Sequence, residues 1–515
     1  MKQLSIFVTS DSHGHWLGRL GNEQHGLLNT ASALDSLRQD LDHPYITIDL
    51  GDFIQGSSFA TYLAQVKEDG SALARAMNAL NYDYQLIGNH EFNFGQAYRD
   101  HILKQVAAQV LVSNIVDDAG QVFMGKPYDI IEKEGIRIGI IGLTTHYIPH
   151  WELPKHYQGL RFLDAYQTAK HYVEQLRPQV DVLILAYHGG YEADLTSGQL
   201  LEADTGENQG ERILRTIPGI DVFLTGHQHR HINQTYQDTW TLQPGHGGEF
   251  VGQVTLTLDQ DQRVIDKQGW LHTVDTYPAS DKIAKVLEPD LSQGKAWLET
   301  VLGQAPLKQT TDDIFQARVQ GHPFVELLNQ VQLKVTGAEF SGLALVNEYF
   351  KDFKGAITNE ILLKAYPYYN LIATVQMTGQ EIYDVMNFNL QYLSLDDGGQ
   401  LIVTPSYVSP KPKHYNYDLY SGFKTLVDMK APKDARIQAI IDERTGQALD
   451  LDKTYTLAIS QYRAVGGGDY TMFTKDKISA ISQIDIATAL IQALQDFGPE
   501  DWDKINHHYS HLDFV

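Results

Sequence analysis

The sequence predicts a two-domain α/β protein whose first domain is layered α/β/α. Three observations carry that expectation. At 515 residues the chain exceeds one hydrophobic core of ordinary size. From Leu4 to about Leu258 short apolar runs alternate with helical patterns, as when strands and helices follow one another in a layered domain. A second set of elements begins near Leu307.

In order along the first domain, Leu4 to Val8, Tyr45 to Leu50, Ile136 to Ile141, Val182 to Leu185 and Val222 to Leu224 read as buried strands, because they are short and apolar throughout. Asn29 to Leu41 reads as a helix, with a cap at Asn29 or Thr30 and Leu34, Leu37 and Leu41 at helical spacing. Asp164 to Leu176 repeats that pattern through Ala165, Ala169, Tyr172, Val173 and Leu176. Val251 to Leu258 is strand-like, and Ser280 to Leu302 reads as a helix joining the domains. The expected division is residues 1–279, a helical connector over 280–306, and a second domain over 307–515. The second domain is expected to hold helices at Phe324 to Leu333, Gln380 to Leu393 and Ile484 to Phe497, and strands at Leu371 to Gln376 and Tyr455 to Ile459.

Composition removes several classes of function. Apolar residues at 43% and charged residues at 20% suit a compact globular body. No stretch approaches the roughly 18 apolar residues of a membrane helix. Met1 leads almost directly into the strand-like Leu4 to Val8, which leaves no room for a secretory leader, so the expected compartment is the cytoplasm. A formal charge of −24 opposes binding to a nucleic-acid polymer or an anionic membrane. With no cysteine, any metal must be held by oxygen and nitrogen.

The chemistry is concentrated where strands end. Asp11-Ser12-His13, Gly51-Asp52, Gly88-Asn89-His90-Glu91, His188-Gly189-Gly190 and Gly226-His227-Gln228-His229 each follow an apolar run at a small-residue turn. Carboxyl ends of strands in an α/β sheet form a crevice, so the five turns can converge. One such histidine is ordinarily a satisfied surface or core residue, and Gly-Asp or Asn-His alone is ordinarily a turn; five in this order ask for another account. Asp11 and His13 are two apart, and extended backbone would put both on one face, a spacing that His227 and His229 repeat. With Asp52, Asn89 and His188 they make seven carboxylate, carboxamide and imidazole ligands, too many for one ion and suited to borderline divalent ions of the Mn, Zn, Fe, Co or Ni type. Two ions sharing Asp52 as a bridge use them all.

This set resembles the calcineurin-type metallophosphoesterase superfamily. In the second part, Asn416 to Gly422, Asp428, Ala435-Arg436-Ile437 and Tyr462 to Gly468 are similar to the C-terminal substrate domain of the 5′-nucleotidase family. The resemblance implies a binuclear phosphoesterase acting on nucleotides. It places one ion on Asp11, His13, Asp52 and His229 and the other on Asp52, Asn89, His188 and His227, the pair acidifying water and neutralising phosphoryl charge. Asn89 and His90 would be the catalytic residues of the Gly-Asn-His-Glu turn. His90 adjoins a ligand and is assigned to stabilising phosphoryl oxygens or protonating the leaving group. Tyr417 and Tyr462 match two aromatic positions that clasp the base, and Asn347 falls in the substrate segment. A site between two domains implies closure, with the connector as hinge.

Within the family, Asn93 stands where many 5′-nucleotidases have aspartate. That variant, with Thr205 to Gly210 and Ala365 to Asn370, is more similar to the 2′,3′-cyclic-nucleotide 2′-phosphodiesterase branch. Asn347 to Lys351 also lacks the arginine usual in 5′-nucleotidases. The expected function is therefore hydrolysis of 2′,3′-cyclic nucleotides with 3′-nucleotidase activity. The alternatives are a 5′-nucleotidase, a nucleotide-sugar pyrophosphatase, or a non-catalytic binding protein on the same fold.

Overall fold

The computed structural model describes residues 1–515 apart from 17–25, 202–203, 369, 410–411 and 510, so Tyr369 of the Ala365 to Asn370 segment lies outside the described residues. The chain divides into two compact units, Met1–Ala296 and Trp297–Val515, and the helix Asp281–Leu298 crosses from one to the other. Among the described residues no helix is long and apolar enough to cross a membrane.

In the first unit the apolar runs are distributed between two six-stranded sheets. One runs in the order Val264–Thr273, Phe250–Leu258, Lys2–Thr9, Tyr45–Asp49, Tyr84–Leu86, Gln109–Leu111. The other runs His231–Tyr236, Thr239–Pro244, Val222–Thr225, Val182–His188, Ile136–Thr144, Tyr128–Lys133. Alternation along each strand explains why these runs are apolar throughout. Leu4, Ile6 and Val8 meet Ile138, Ile140, Ile184 and Leu224 in a core between the sheets. Leu183, Leu185 and Tyr187 face outward onto Ala165, Ala169 and Val173 of the helix Ala165–Leu176. The β layer is thus double, with helices outside it.

The central strands are parallel: Lys2–Thr9 beside Tyr45–Asp49, then Tyr84–Leu86, and in the other sheet Ile136–Thr144 beside Val182–His188, then Val222–Thr225. Their carboxyl ends therefore lie at one edge of each sheet. The helix Ala165–Leu176 starts where the sequence indicates, since Asp164 accepts from Gln167 N at 2.8 Å. The helix Leu27–Gln39 starts earlier, after Gly26. Asn29 and Thr30 are inside it, their side chains bonded to Tyr277 O at 2.8 Å and Gly26 O at 3.1 Å instead of capping.

The second unit holds a five-stranded mixed sheet, Asp418–Ser421, Phe340–Ala344, Thr454–Ser460, Leu371–Thr378, Ile478–Asp485, and a four-stranded sheet built around Phe423–Val427 and Ile437–Asp442. Its main helices are Pro323–Thr336, Gly379–Asn389 and Ile486–Asp496. The second opens on a capping box in which Thr378 and Glu381 satisfy each other's backbone N–H groups. The third opens on Asp485, which accepts from Thr488 N.

Candidate active site

The turns at the strand ends have an unusual backbone. Asp11, His13, Asp52, His227 and His229 all take positive φ, at 53°, 51°, 59°, 67° and 57°. A left-handed conformation costs an L-residue roughly 1–2 kcal/mol, and such strain gathers at sites that need it. It also corrects the expected reason for the D-x-H and H-x-H spacing: these pairs are displayed by tight left-handed turns, not by extended backbone. The turns are stitched together by Asp11 N donating to Gly51 O at 3.0 Å and His13 N to Asp52 O at 2.8 Å. Gly88 is glycine because a Cβ there would run into Asp52 Oδ1 and the His188 ring.

Six of the seven expected ligands, with His90, form three overlapping groups whose ligand atoms lie within 4.8 Å of one another: Asp11, His13 and His229; His13, Asp52 and His90; Asp52, His188 and His227. Asp52 joins two of these groups. His227 and His229 fall in different groups and do not share one. The seventh ligand, Asn89, presents Oδ1 at 3.2 Å from His188 Nε2 and 2.9 Å from His227 Nδ1.

His13, His188 and His227 are each oriented by their other nitrogen. His13 Nδ1 donates to Gln55 O at 2.8 Å and His188 Nδ1 to Leu50 O at 2.8 Å, so Nε2 of both rings points into the site. His227 is reversed: its Nε2 meets Glu207 Oε1 at 2.8 Å, and Nδ1 points inward. Glu91 accepts four backbone N–H groups, from Gly88, Asp52, Phe53 and Ile54, at 2.6 to 3.3 Å, and so ties two turns into one body.

The charges are buried, and their balance is telling. Burial opposes ionisation of Asp11 and Asp52, but His229 and His188 beside Asp11, and His188 and His90 beside Asp52, outweigh it and hold both carboxyls well below the usual range. His13 is pushed down to about 3, by burial and then by the charge of His229 and His90, and so keeps a bare nitrogen. Burial also opposes a proton on His188, yet Asp52 at 3.0 Å prevails and carries it up to about 10. His13 Nε2 and His229 Nε2 face each other at 3.0 Å, with Asp11 Oδ1 3.5 Å from the latter. Converging imidazole nitrogens and carboxylate oxygens, without a thiolate, suit borderline divalent cations. These residues fit a metal pair.

His90 is held at the rim of this cluster. Its N–H donates to Asp52 Oδ1 at 2.7 Å, its Nδ1 lies 2.6 Å from Asn93 Oδ1, and its ring stands edge-on to His13 at 5.1 Å. Trp151 stacks on His227 with ring centres 5.6 Å apart. The sequence reading did not assign roles to Glu91, Glu207 or Trp151. The first two stand inside quoted motifs, whereas nothing local marks Trp151.

In the second unit the expected base-binding residues separate. Tyr417 is wholly buried, and one face of its ring is stacked on Tyr392 at 4.4 Å and 17°. In this structure its ring sits in the core and shows no exposed face, unlike the base-binding position expected of it. Asn347 is also occupied locally: its side chain accepts from Tyr349 N at 3.0 Å and donates to Lys364 O at 2.9 Å. Tyr462 is half-buried at the start of the turn after the strand Thr454–Ser460. The pairing of Ile372 with Ser460 puts the residues before Leu371 at the same sheet edge as Tyr462. Tyr368 stands there, 44% exposed.

A model of the calcineurin-like phosphoesterase family matches residues 4–231, and one of the 5′-nucleotidase C-terminal domain matches residues 301–475. Protein UshA of Yersinia enterocolitica is 24% identical, covering 91% of this chain and 86% of its own. The 2′,3′-cyclic-nucleotide 2′-phosphodiesterase/3′-nucleotidase of Salmonella typhimurium is 23% identical, covering 90% and 81%. A crystal structure from Staphylococcus aureus, described as a candidate 5′-nucleotidase in complex with alpha-ketoglutarate, superposes over 100% of both chains with a TM-score of 0.90 at 30% identity.

Proposed function

The chain belongs to the calcineurin-like phosphoesterases that carry a 5′-nucleotidase C-terminal domain, and we propose that its preferred substrates are 2′,3′-cyclic nucleotides, with the resulting 3′-nucleotide hydrolysed at the same site. It is a metal-dependent phosphoesterase, and its family uses a dinuclear metal centre. The observation that carries the finer reading is the state of the segment from Asn347 to Lys351. Its amide is engaged in local bonds, and its one cation, Lys351, faces Glu348 at 3.7 Å. A 5′-monophosphate is close to a dianion and rewards a free guanidinium; a cyclic diester bears one charge and asks less of the protein, so the 3′-monophosphate it yields, itself close to a dianion, is the poorer substrate. Asn93 beside His90, and the name of the Salmonella relative, support the same choice.

Asp11, His13, Asp52 and His229 would hold one ion and Asp52, Asn89, His188 and His227 the other. When bound, such a pair supplies charge neutralisation at the phosphoryl oxygens and a nucleophile at neutral pH. His90 hydrogen-bonds a phosphoryl oxygen and gives a proton to the departing 2′-oxygen of the ribose, leaving the phosphate on the 3′-oxygen. Tyr462 holds the base, and Tyr368 replaces Tyr417 as its partner. The exposed Tyr368 ring offers a face that a stacked core ring does not.

A 5′-nucleotidase is the second reading, favoured by the Staphylococcus aureus structure. The test is to assay protein loaded in turn with manganese, zinc, iron, cobalt and nickel against 2′,3′-cyclic AMP, 3′-AMP, 5′-AMP and a nucleotide sugar. The cyclic nucleotide should show the highest kcat/KM. First place for 5′-AMP or the nucleotide sugar would refute the proposal.

A further inference from the structure

His90 is supported by a residue distant in sequence. The Asn93 amide is engaged at both ends: Nδ2 donates to Glu152 Oε2 at 2.8 Å, and Oδ1 lies 2.6 Å from His90 Nδ1. A carboxylate only accepts hydrogen bonds, so Glu152 admits only the NH2 end of the amide. The carbonyl end is thereby turned to His90. That oxygen also only accepts, so Nδ1 carries a hydrogen. Glu152 is itself fixed, with Oε1 accepting from Leu153 N at 2.7 Å and facing His156 Nδ1 at 2.8 Å, and its side chain is only 10% exposed. The preceding residue, Trp151, is the one stacked on His227.

We propose that Glu152 is a positioning residue for phosphoester hydrolysis: through the Asn93 amide it holds the His90 ring in one orientation, with Nδ1–H bound to Asn93 Oδ1, so that the proton His90 gives to the phosphoester is the one on Nε2. The inference rests on the reading of His90 as the group that acts on the ester. An asparagine without a carboxylate behind it can present its NH2 to the imidazole as readily as its oxygen, and the flipped amide would need a bare Nδ1, which opposes the doubly protonated ring that gives up a proton from Nε2. Glu152 removes that choice without touching the substrate.

The sharp variant is Glu152→Gln, which keeps the volume and a carbonyl for Leu153 N but offers NH2 towards Asn93 and so favours the flip. With metal-loaded enzyme and bis(p-nitrophenyl) phosphate, kcat should fall about 10- to 100-fold, the usual worth of a partner that orients a working histidine. KM, metal content and melting temperature should be unchanged. Asn93→Asp in the Glu152→Gln background should restore kcat, because the carboxylate it introduces accepts from His90 Nδ1 and from the new amide at position 152 together. It must be made in that background, since two carboxylates would otherwise meet at 2.8 Å. In a His90→Ala background, Glu152→Gln should cost nothing further. A wild-type kcat for Glu152→Gln, loss of rate in step with metal or stability, or failure of Asn93→Asp to restore it would overturn the inference while leaving His90 in its role. A wild-type kcat for His90→Ala would overturn the reading of His90 and this inference with it.

Discussion

Asp52→Asn should empty the metal centre while leaving the fold intact. Asparagine is nearly isosteric with aspartate and tolerates the left-handed backbone, φ 59°, that position 52 requires. Its carbonyl can still accept the His90 N–H, now at 2.7 Å from Oδ1. What disappears is a negative charge buried to 1% side-chain exposure, 3.0 Å from His188. At that separation two unit charges interact by about 5 kcal/mol at an effective dielectric near 20. If each ion felt only half of this, the loss would be about 2.5 kcal/mol, or roughly a hundredfold in affinity for each ion. The bridge serves both ions, so the two should go together. The assay is metal content by mass spectrometry after dialysis, with kcat on bis(p-nitrophenyl) phosphate and circular dichroism as the control on folding. Both ions should be depleted and the rate should fall by about 10³-fold or more. A variant that kept two metal equivalents per chain and a rate within about tenfold of wild type would refute the assignment of Asp52 as the bridge.

His90→Ala should leave metal content near normal and lower kcat by about 10²- to 10³-fold, as expected of a group acting on the transition state; loss of metal in step with rate would make it a ligand. Tyr462→Ala should weaken use of 2′,3′-cyclic AMP by roughly five- to a hundred-fold, since stacking on one aromatic is worth about 1–3 kcal/mol, and should spare bis(p-nitrophenyl) phosphate. Tyr417→Ala should instead destabilise the chain by about 3–5 kcal/mol through the core it leaves unfilled, with both substrates affected alike; equal sparing of the base-free ester by both variants would return Tyr417 to the binding site. Glu326, buried on the helix Pro323–Thr336 beneath Gln330 and Ser421, is pushed up to about 7, chiefly by burial. Its folded value lies above the unfolded one, so the folded chain binds the proton more tightly. The associated stability is complete below about pH 4 and is lost as pH rises through 7, by up to about 3 kcal/mol. Glu326→Gln should therefore melt later than wild type at pH 8 and show a flatter pH profile; identical profiles would show that Glu326 does not titrate with unfolding.

How much of this was legible in the sequence depended on whether the signal was local. The strands of the first unit could be read because burial on both faces leaves no polar alternation, and Ile136 to Ile141 or Val182 to Leu185 then stand out as unbroken apolar runs. That the runs divide between two sheets was not legible, since nothing in Leu4 to Val8 names the strand it will pair with. The helices of the second unit were placed within a few residues, and Thr378 and Asp485, which cap two of them in the structure, act on their own first turn and so are local signals. The cap expected at Asn29 or Thr30 failed for a related reason: a side chain that can cap can also bond elsewhere, and Tyr277 O is 248 residues away.

The site shows the same division more sharply. Residue types at strand ends pointed to a ligand set because five such groups fall in order after apolar strands, although any one of them alone is ordinarily a turn or a satisfied histidine. The backbone at Asp11, His13, Asp52, His227 and His229 could not be read, as neither aspartate nor histidine announces a positive φ the way glycine does. Tyrosine is equally mute: the chain has 28, and whether Tyr417 offers a face or fills a core depends on residues such as Tyr392, which stacks on it from another element. Glu152 and Glu207 make the general point, since each fixes the orientation of a site residue from 59 and 20 positions away respectively. A ligand can be recognised by what it is, but a residue that orients a ligand is recognised only by what it reaches. Orientation decides whether His90 can hold a hydrogen on Nδ1 while giving one from Nε2 to the ester, so the part of the site that sequence hides is the part that sets its chemistry.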